Sequence, residues 1–468
     1  MTGQQIRRQL KKSFDRIRNE KYKQNLLQAI PFWGASLITG LIAVFYSKIF
    51  AVLEGATFSI IGHHSWLIFI LAPVCFLGAW WVVVKFAPYA RGSGIPQVMA
   101  AIELANPRYN KKVEKLLSVK IFFVKILSSF IMILGGGAIG REGPTIQLAG
   151  TVFRKVNEWL PDWWPKISKR NMIMTGAAAG LAAAFNTPLG GIVFAVEELT
   201  KTHISYFKTA LFTAVIIAGL TAQGLLGPYL YLGYPDVTGL SISIFFGILL
   251  VGCVAGLLGS LMSKIILVLF KWKAKFKFRY QHAFYVLGCA FIVATIAFFF
   301  DERILGSGKE IMVTTLFSTE KNVHWYTAIF RIGGTILSFT TGAAGGIFAP
   351  SLGAGAGVGS LMAGWLEASS TNTNLLILCG MVGFLTGVTR TPFTSAILVL
   401  EMTDRHNVIF HLMIAGMIAS VVSMIVDKHS LYDHLKVQCI HDLHHEDDLP
   451  PPKELPPVEE LETGNKNV

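Results

Sequence analysis

The sequence predicts an all-α polytopic membrane protein built from two related halves. Its 468 residues are 53% hydrophobic and only 15% charged, whereas about a quarter of the residues in a soluble domain carry a charge. The mean hydropathy of +0.53 and the long apolar segments along nearly the whole chain indicate helices that cross a bilayer. Glycine- and proline-rich segments that recur later in the chain in the same order indicate the two halves.

Seven apolar segments are each close to the roughly 20 residues that a helix needs to span a bilayer. The first lies too far from the N-terminus, and follows too long a basic stretch, to be a cleaved signal peptide. The predicted spans are residues 30–54, 65–84, 119–139, 207–226, 242–270, 283–300 and 407–426.

The net charge of +13 has its clearest clusters beside these spans, in residues 7–23 and 271–279. Basic clusters next to spans mark the cytoplasmic face. The charge therefore indicates membrane topology, and we expect membrane lipid as a partner and no nucleic acid. Both termini are expected in the cytoplasm.

The chain is expected to have three parts. Basic and apolar residues alternate at helical spacing near the start, which predicts a cytoplasmic amphipathic helix in residues 1–28. A transmembrane domain follows in residues 29–436, with halves near 30–230 and 240–436. Residues 437–468 become acidic and proline-rich, which is typical of a disordered tail. The five cysteines show neither disulfide nor metal-ligand spacing, and we expect no metal.

Three pairs of segments recur in the same order along the chain. In one pair, Glu197 falls on Glu401. Repeated halves are the usual architecture of secondary transporters. The pairs are residues 92–94 with 306–308, 135–150 with 341–356, and 176–200 with 380–403.

Three segments punctuated by glycine and proline are expected to start helices within the membrane. Glycine permits close backbone approach, and proline is favoured in the first helical turn. A helix start offers free N–H groups and the positive end of a dipole, so three that converge would bind an anion without a full positive charge. One such segment alone is more often a kink or a packing site; three with repeat symmetry favour the anion site. The segments are Gly92, Ser93, Gly94, Ile95 and Pro96; Gly140, Arg141, Glu142, Gly143 and Pro144; and Gly346, Ile347, Phe348, Ala349 and Pro350.

Ionisable residues within membrane segments are costly and usually functional. Glu142 lies at one predicted helix start, so its carboxylate could itself occupy an anion site and leave when protonated. One side chain would then be both gate and proton acceptor. From spacing alone, Glu197 and Glu198 beside Lys201 indicate a solvated helix end with a surface ion pair. Lys125 lies within a span, where a structural ion pair or snorkelling is expected.

These motifs resemble those of the CLC family of chloride channels and proton-coupled chloride transporters. GSGIP, GREGP and GIFAP occur in the family's order, and GAAAGLAAAFNTPLGGIVFAVEEL resembles the stretch that ends in its proton-pathway glutamate. The resemblance covers roughly residues 30–436. It implies an inverted repeat, discontinuous helices that meet at a central anion site, and a homodimer. We expect a multi-pass protein of the plasma membrane, and the compact form makes a bacterial inner membrane the expected location.

The resemblance also assigns an anion site residue by residue. The hydroxyl of Ser93 would donate to the central chloride, and that of Tyr432 would supply the second hydroxyl. The backbone amides of Ile347 and Phe348 would line the same site. Serine in GSGIP is typical of members that prefer chloride, whereas nitrate-preferring members tend to carry proline there.

The proton pathway is assigned in the same way. Glu142 corresponds to the external gating glutamate of the family and Glu198 to the internal glutamate of its transporters. Channel members typically carry a non-ionisable residue at the internal position. Glu198 therefore favours an antiporter that exchanges chloride for protons over a passive voltage- or pH-gated chloride channel. Chloride and H⁺ are the expected ligands, with no cofactor and no enzyme activity.

Overall fold

The computed structural model describes residues 14–15, 19–200, 208–227, 230–238 and 244–445. Within these ranges the chain is almost entirely α-helical, which confirms the predicted fold class. In chain order the helices are α1 (Glu20–His63), α2 (Ile68–Phe86), α3 (Ile95–Glu103), α4 (Asn110–Leu116), α5 (Val119–Leu134), α6 (Glu142–Trp159), α7 (Lys169–Phe185), α8 (Pro188–Phe194), α9 (Lys208–Leu226), α10 (Ile244–Lys273), α11 (Arg279–Phe299), α12 (Lys309–Phe317), α13 (Trp325–Thr340), α14 (Phe348–Trp365), α15 (Ser370–Thr389), α16 (Pro392–Thr403), α17 (Ile409–Val426) and α18 (Leu431–His445).

Eight helices among the described residues are long and apolar enough to cross a membrane. Seven coincide with the seven predicted spans. The eighth, Ser370–Thr389, was missed because glycine, threonine and asparagine interrupt its apolar run. It is almost entirely surrounded by protein, so it does not need the continuous apolar surface of a lipid-facing helix.

Several helices are too short to cross the bilayer. The nine residues of α3 and of α12 give about 14 Å of helix, against a hydrocarbon core of about 30 Å. A helix of this length that enters the bilayer ends inside it, where open backbone is tolerated only inside protein or beside water. The predicted discontinuous helices are present.

The internal repeat is visible in the backbone as well as in the sequence. Asn186 follows the last residue of α7 and Arg390 follows the last residue of α15, and both adopt the left-handed conformation, with φ of 57° and 62°. Thr187 and Thr391 follow, and a proline then begins the next helix in each half. The same stop-and-restart is thus built at equivalent positions of the two halves.

Both predicted outer boundaries fall inside helices. The predicted boundary between the amphipathic helix and the transmembrane domain, at residue 28, lies within the continuous α1. Residues 1–13 and 16–18 lie outside the described residues. The predicted tail at 437–468 begins within α18, which continues to His445 because Cys439, Ile440 and Leu443 are buried against the helical body. Residues 446–468 lie outside the described residues.

Close glycine contacts hold the second half together behind the motif loops. A Cβ at Gly359 of α14 would lie 2.5 Å from the carbonyl oxygen of Leu376 in α15. Small residues at such positions let helix backbones approach closely within a membrane. This packing fixes α14, whose first residue is Phe348 of the third motif.

Candidate anion-binding site

The structure brings the three predicted motifs together. The backbone N–H of Gly345 donates to the carbonyl oxygen of Gly92 at 3.1 Å, which joins the third motif region to the first. Gly140 and Gly346 exchange two backbone hydrogen bonds, of 2.8 and 2.7 Å, which join the second motif to the third. The starts of α3, α6 and α14 therefore converge.

Glycine is required where the first two motifs touch. A Cβ at Gly143 would overlap the Ser93 Oγ and would lie 2.8 Å from the Ser93 carbonyl oxygen. Gly94, which precedes α3, has a φ of +98°, a conformation that L side chains rarely adopt. These two glycines allow the Ser93 side chain to lie directly against the start of α6.

Two hydroxyls point into the space between these helix starts. Ser93 and Tyr432 are both buried, and their hydroxyls lie close enough to interact with each other. Neither hydroxyl forms a hydrogen bond of standard geometry with another described residue. The Tyr432 ring stacks on Phe348, with centroids 6.1 Å apart and an angle of 11°. Buried polar groups normally have partners, so this pair, with the free N–H groups of α14, fits a small anion.

The start of the helix that carries Tyr432 is fixed by Asp427. The carboxylate accepts hydrogen bonds from the Nε2 of His434 at 3.0 Å and from the backbone N–H of His429 at 2.9 Å. Burial by itself would raise the pKa of Asp427, but these bonds and nearby positive charge hold it below its usual value. Asp427 therefore stays ionised at neutral pH.

Glu142 is fully buried at the first turn of α6. Neither carboxylate oxygen has a hydrogen bond of standard geometry among the described residues. The carboxylate lies beside its own backbone N–H and that of Ala349, the second residue of α14. It is thus held over two helix starts at once, where the dipoles favour a negative charge.

Within the part of the chain that the structure describes, Lys125 forms neither the ion pair nor the snorkelling contact expected from the sequence. Its ammonium is fully buried and donates to the carbonyl oxygens of Ala90 and Gly92, each at 2.8 Å. It therefore holds the loop that ends in Ser93. No pattern in the sequence pointed to this role, because the contact joins α5 to a loop more than thirty residues earlier.

Arg331 plays the equivalent part in the second half. It is fully buried, and its guanidinium donates to the carbonyl oxygens of Ile304, Leu305 and Gly306 at 2.6 to 3.0 Å. Each half thus uses a buried cation to bind carbonyl oxygens that lead into its Gly-Ser-Gly turn, including that of the first glycine.

Glu197 and Glu198 are not the solvated helix end indicated by their spacing, because they lie in a π-helical turn, Ala195–Thr200, against α16. Glu197 accepts hydrogen bonds from the backbone N–H groups of Phe393, at 3.2 Å, and Thr394, at 2.7 Å. Glu198 is buried and interacts electrostatically with the Tyr432 hydroxyl. Lys201, the expected ion-pair partner, lies outside the described residues.

One cavity of about 390 Å³, the Arg279 vestibule, leads to Ser93. Its charged lining is basic, which would concentrate anions near the site. Lys273 is buried there and donates to the carbonyl oxygens of Thr340 and Thr341. The titratable residues that line the cavity are Arg91, Lys273, Arg279, His282 and Cys439.

A second cavity of about 240 Å³, the Glu54 vestibule, leads to Arg141, the residue before Glu142. The Arg141 side chain does not face the hydroxyl pair. Its Nη1 donates to the carbonyl oxygen of Ser47 at 3.0 Å. The polar and charged residues that line this cavity include Ser47, Lys48, Glu54, Arg141, Tyr231, Ser307 and Lys309.

The two vestibules lie at opposite ends of α11. Its first residue, Arg279, lines one vestibule, and Ser307, eight residues after its last residue Phe299, lines the other. A helix of 21 residues is about 30 Å long, the thickness of the hydrocarbon core. Because Ser93 and Ser307 are repeat counterparts on opposite faces, the two halves are inverted.

A family model described as "Voltage gated chloride channel" matches residues 75–424, more than half of the chain. The chain is 30% identical over 387 residues to the H(+)/Cl(-) exchange transporter ClcA of Cronobacter sakazakii, covering 80% of each sequence. It is 28% identical over 415 residues to the transporter of the same name from Citrobacter koseri, covering 84% of this chain and 85% of the relative.

Solved structures agree with this fold. A slow cyanobacterial Cl⁻/H⁺ antiporter matches with a TM-score of 0.76 and 22% identity, over 90% of this chain and 99% of that structure. A CLC-type fluoride/proton antiporter matches with a TM-score of 0.74 and 20% identity, over 89% of this chain and 98% of that structure. With its helices, its inverted halves and its motifs in place, the chain belongs to the CLC family, that of the voltage-gated chloride channels.

Proposed function

We propose that this protein is a secondary active antiporter that exchanges chloride for protons. The observation that carries the proposal is a pair of buried carboxylates, Glu142 and Glu198, that both interact with the Tyr432 hydroxyl. Buried carboxylates at membrane depth are typical of proton relays. A passive channel needs an anion path but no second proton acceptor, so the pair favours the exchanger.

The chloride site lies between the hydroxyls of Ser93 and Tyr432, with the backbone N–H groups of Ile347 and Phe348 beside them. All four donors are neutral. Helix starts attract an anion through partial charges, so chloride is held without a direct ion pair and can leave again. The Lys125 ammonium adds a positive charge behind the Ser93 loop, where its own hydrogen bonds go to carbonyl oxygens.

Glu142 acts as the outer gate and proton acceptor. Its ionised carboxylate competes with chloride for the starts of α6 and α14, beside Ala349. Protonation removes the charge that this position attracts, so the side chain leaves and chloride takes its place. Chloride and proton thus bias one equilibrium, which is what coupled exchange requires.

Glu198 supplies the proton acceptor on the other side of Tyr432. It is buried beside Glu197, whose carboxylate is committed to the start of α16. Of these two neighbours, Glu198 is the one that interacts with the Tyr432 hydroxyl. Its proton would reach Glu142 past the chloride site.

The orientation follows from the positive-inside rule. The basic cluster at residues 271–279 lies at the Arg279 vestibule, so that vestibule faces the cytoplasm and the Glu54 vestibule faces outward. Both termini are on the cytoplasmic side. A bacterial inner membrane is the location that fits the relatives.

Two copies are expected to pair through the faces of α8, α9, α16 and α17. The helices α8 and α16 are short, and Leu189 and Phe393 at their starts are exposed apolar side chains on this surface. A second copy would cover them. The apolar side chains exposed on this surface include Leu189, Phe212, Ile216, Leu220, Phe393, Phe410, Met417, Val421 and Ile425.

The experiment that tests the proposal is paired measurement of chloride and proton flux from liposomes that contain the purified protein. We expect an outward chloride gradient to drive protons inward against their own gradient. Chloride flux without uphill proton movement, with a reversal potential equal to that of chloride alone, would favour the passive channel.

A further inference from the structure

The carboxylate of Glu54, on α1, binds the start of α12 in the other half of the protein. Its Oε1 accepts a hydrogen bond from the backbone N–H of Ser307 at 2.5 Å. Gly306 has a φ of +68°, and a Cβ there would overlap the Glu54 Oε1. The carboxylate therefore fits against this turn because the turn contains glycine.

The repeat relates this contact to the Ser93 turn of the first half. Residues 306–308 are the counterpart of 92–94, and Arg331 holds the second turn as Lys125 holds the first. In the first half, the turn presents Ser93 to the anion site. In the second half, the Glu54 carboxylate accepts a hydrogen bond from the equivalent turn.

The Glu54 carboxylate lines the Glu54 vestibule, which leads to Arg141 and the gate residue Glu142. Lys48, Arg141 and Lys309 line the same cavity, and Glu54 also interacts electrostatically with Arg331 and Glu310. Glu142 interacts electrostatically with Glu54 as well. Among the described residues, the titratable groups that act on Glu142 include Arg141, Glu54, Tyr46 and Tyr432. Of these four, Glu54 carries a carboxylate like that of Glu142.

We propose that Glu54 is a positioning residue for the proton step: its carboxylate, fixed at the start of α12, strengthens proton binding by Glu142 from the outer side. The inference rests on the proposed exchange function and on Glu142 as its gate. Two negative charges oppose each other's ionisation, so a fixed charge on Glu54 favours the protonated, open form of Glu142. Glu54 would then set the external pH range in which the exchanger works.

The test compares Glu54→Gln with wild type in liposomes, with chloride flux measured across external pH. Glutamine can still accept from the Ser307 N–H but carries no charge. Because transport falls as Glu142 ionises, we expect the midpoint of the profile to move to lower pH by roughly half a unit, the order expected for two charges across a hydrated vestibule. Glu54→Asp should restore the wild-type midpoint.

Glu310→Gln is the matched control, since it removes a carboxylate close to Glu54 that does not line the vestibule. An unchanged midpoint in Glu54→Gln, or an equal shift in Glu310→Gln, would overturn the inference. If Glu54→Gln cannot be reconstituted, Glu54→Ala must show the same shift. A wild-type protein without proton coupling would instead reject the proposed function, so the two failures are distinguishable.

Discussion

Glu197 binds the start of the helix that carries Glu401, and Glu401 binds the start of the helix that precedes Glu197. Glu197, at the end of the α8 segment, accepts from the N–H groups of Phe393 and Thr394 at the start of α16. Glu401, near the end of α16, accepts from the N–H groups of Leu189, at 3.0 Å, and Gly190, at 2.7 Å, at the start of α8.

This reciprocal contact predicts that substitution of either glutamate lowers the stability of the fold by a similar amount. Glu197→Gln and Glu401→Gln each replace charge-assisted hydrogen bonds at a helix start, so each should lower the free energy of unfolding by about 1–2 kcal/mol. Thermal unfolding in detergent measures this. Because α8 and α16 share the contact, the double variant should lose less than the sum. Glu320→Gln, on an exposed loop, should stay within about 0.5 kcal/mol of wild type.

Glu198→Gln should abolish proton movement while chloride flux persists. The amide keeps the shape of the side chain but cannot release a proton. Paired flux from liposomes measures both ions, and Glu197→Gln is the neighbouring control that should keep coupling. Uphill proton pumping by Glu198→Gln would exclude it as the inner proton acceptor.

Glu142→Gln should give chloride flux that no longer depends on external pH, with no proton transport, because the amide resembles the protonated side chain. Glu142→Ala should be uncoupled as well, and an anion should enter the vacated position.

Asp427 cannot produce the pH dependence of the wild type. Its depressed pKa means that the stability it contributes is complete above its usual value of 3.8 and is lost only as pH falls below it. Preserved coupling in Glu142→Gln would reject the gate assignment.

Ser93→Pro should shift anion preference from chloride toward nitrate, since it removes the hydroxyl that faces the site. Tyr432→Phe keeps the ring stacked on Phe348 and removes only the other hydroxyl. It should weaken chloride binding about 5- to 10-fold, equivalent to one hydrogen bond of about 1 to 1.4 kcal/mol. Calorimetry in detergent and nitrate flux in liposomes measure these effects. Unchanged selectivity in Ser93→Pro would contradict the proposed role of that residue.

A comparison of Lys125→Met with Arg331→Met distinguishes an effect on chloride binding from an effect on fold stability. Each removes a buried cation and leaves carbonyl oxygens without their donor, so each should destabilise the fold by roughly 3 kcal/mol or more. Only Lys125→Met acts on the Ser93 loop, so only it should weaken chloride binding, by about tenfold. Equal losses of chloride affinity would show that Lys125 acts through stability alone.

Features set by local sequence were predictable. Gly94, Pro96 and Pro144 specify turns and helix starts through their own backbone preferences, and the alignment of Glu197 with Glu401 followed from the repeat. Contacts between distant segments were not predictable in this way. The carbonyl partners of Lys125 depend on how α5 packs.

Hydrophobicity located the spans that face lipid and missed the one that does not. Ser370–Thr389 carries polar and small residues because protein surrounds it, so a criterion based on lipid contact passes over it. The predicted domain boundary at residue 28 lies within α1 for a related reason. A change from basic to apolar composition marks where a helix enters the membrane, and a helix does not need to end there.

The unbroken length of α1 makes the outer gate sensitive to the bilayer itself. Its apolar part, residues 30–54, extends about 37 Å, which exceeds the hydrocarbon core of about 30 Å. An apolar stretch of excess length responds to membrane thickness by changing its tilt. This helix carries Ser47, which holds Arg141, and Glu54, which holds the Ser307 turn. Lipid chain length should therefore alter how readily chloride passes Glu142, even when both ion gradients are unchanged.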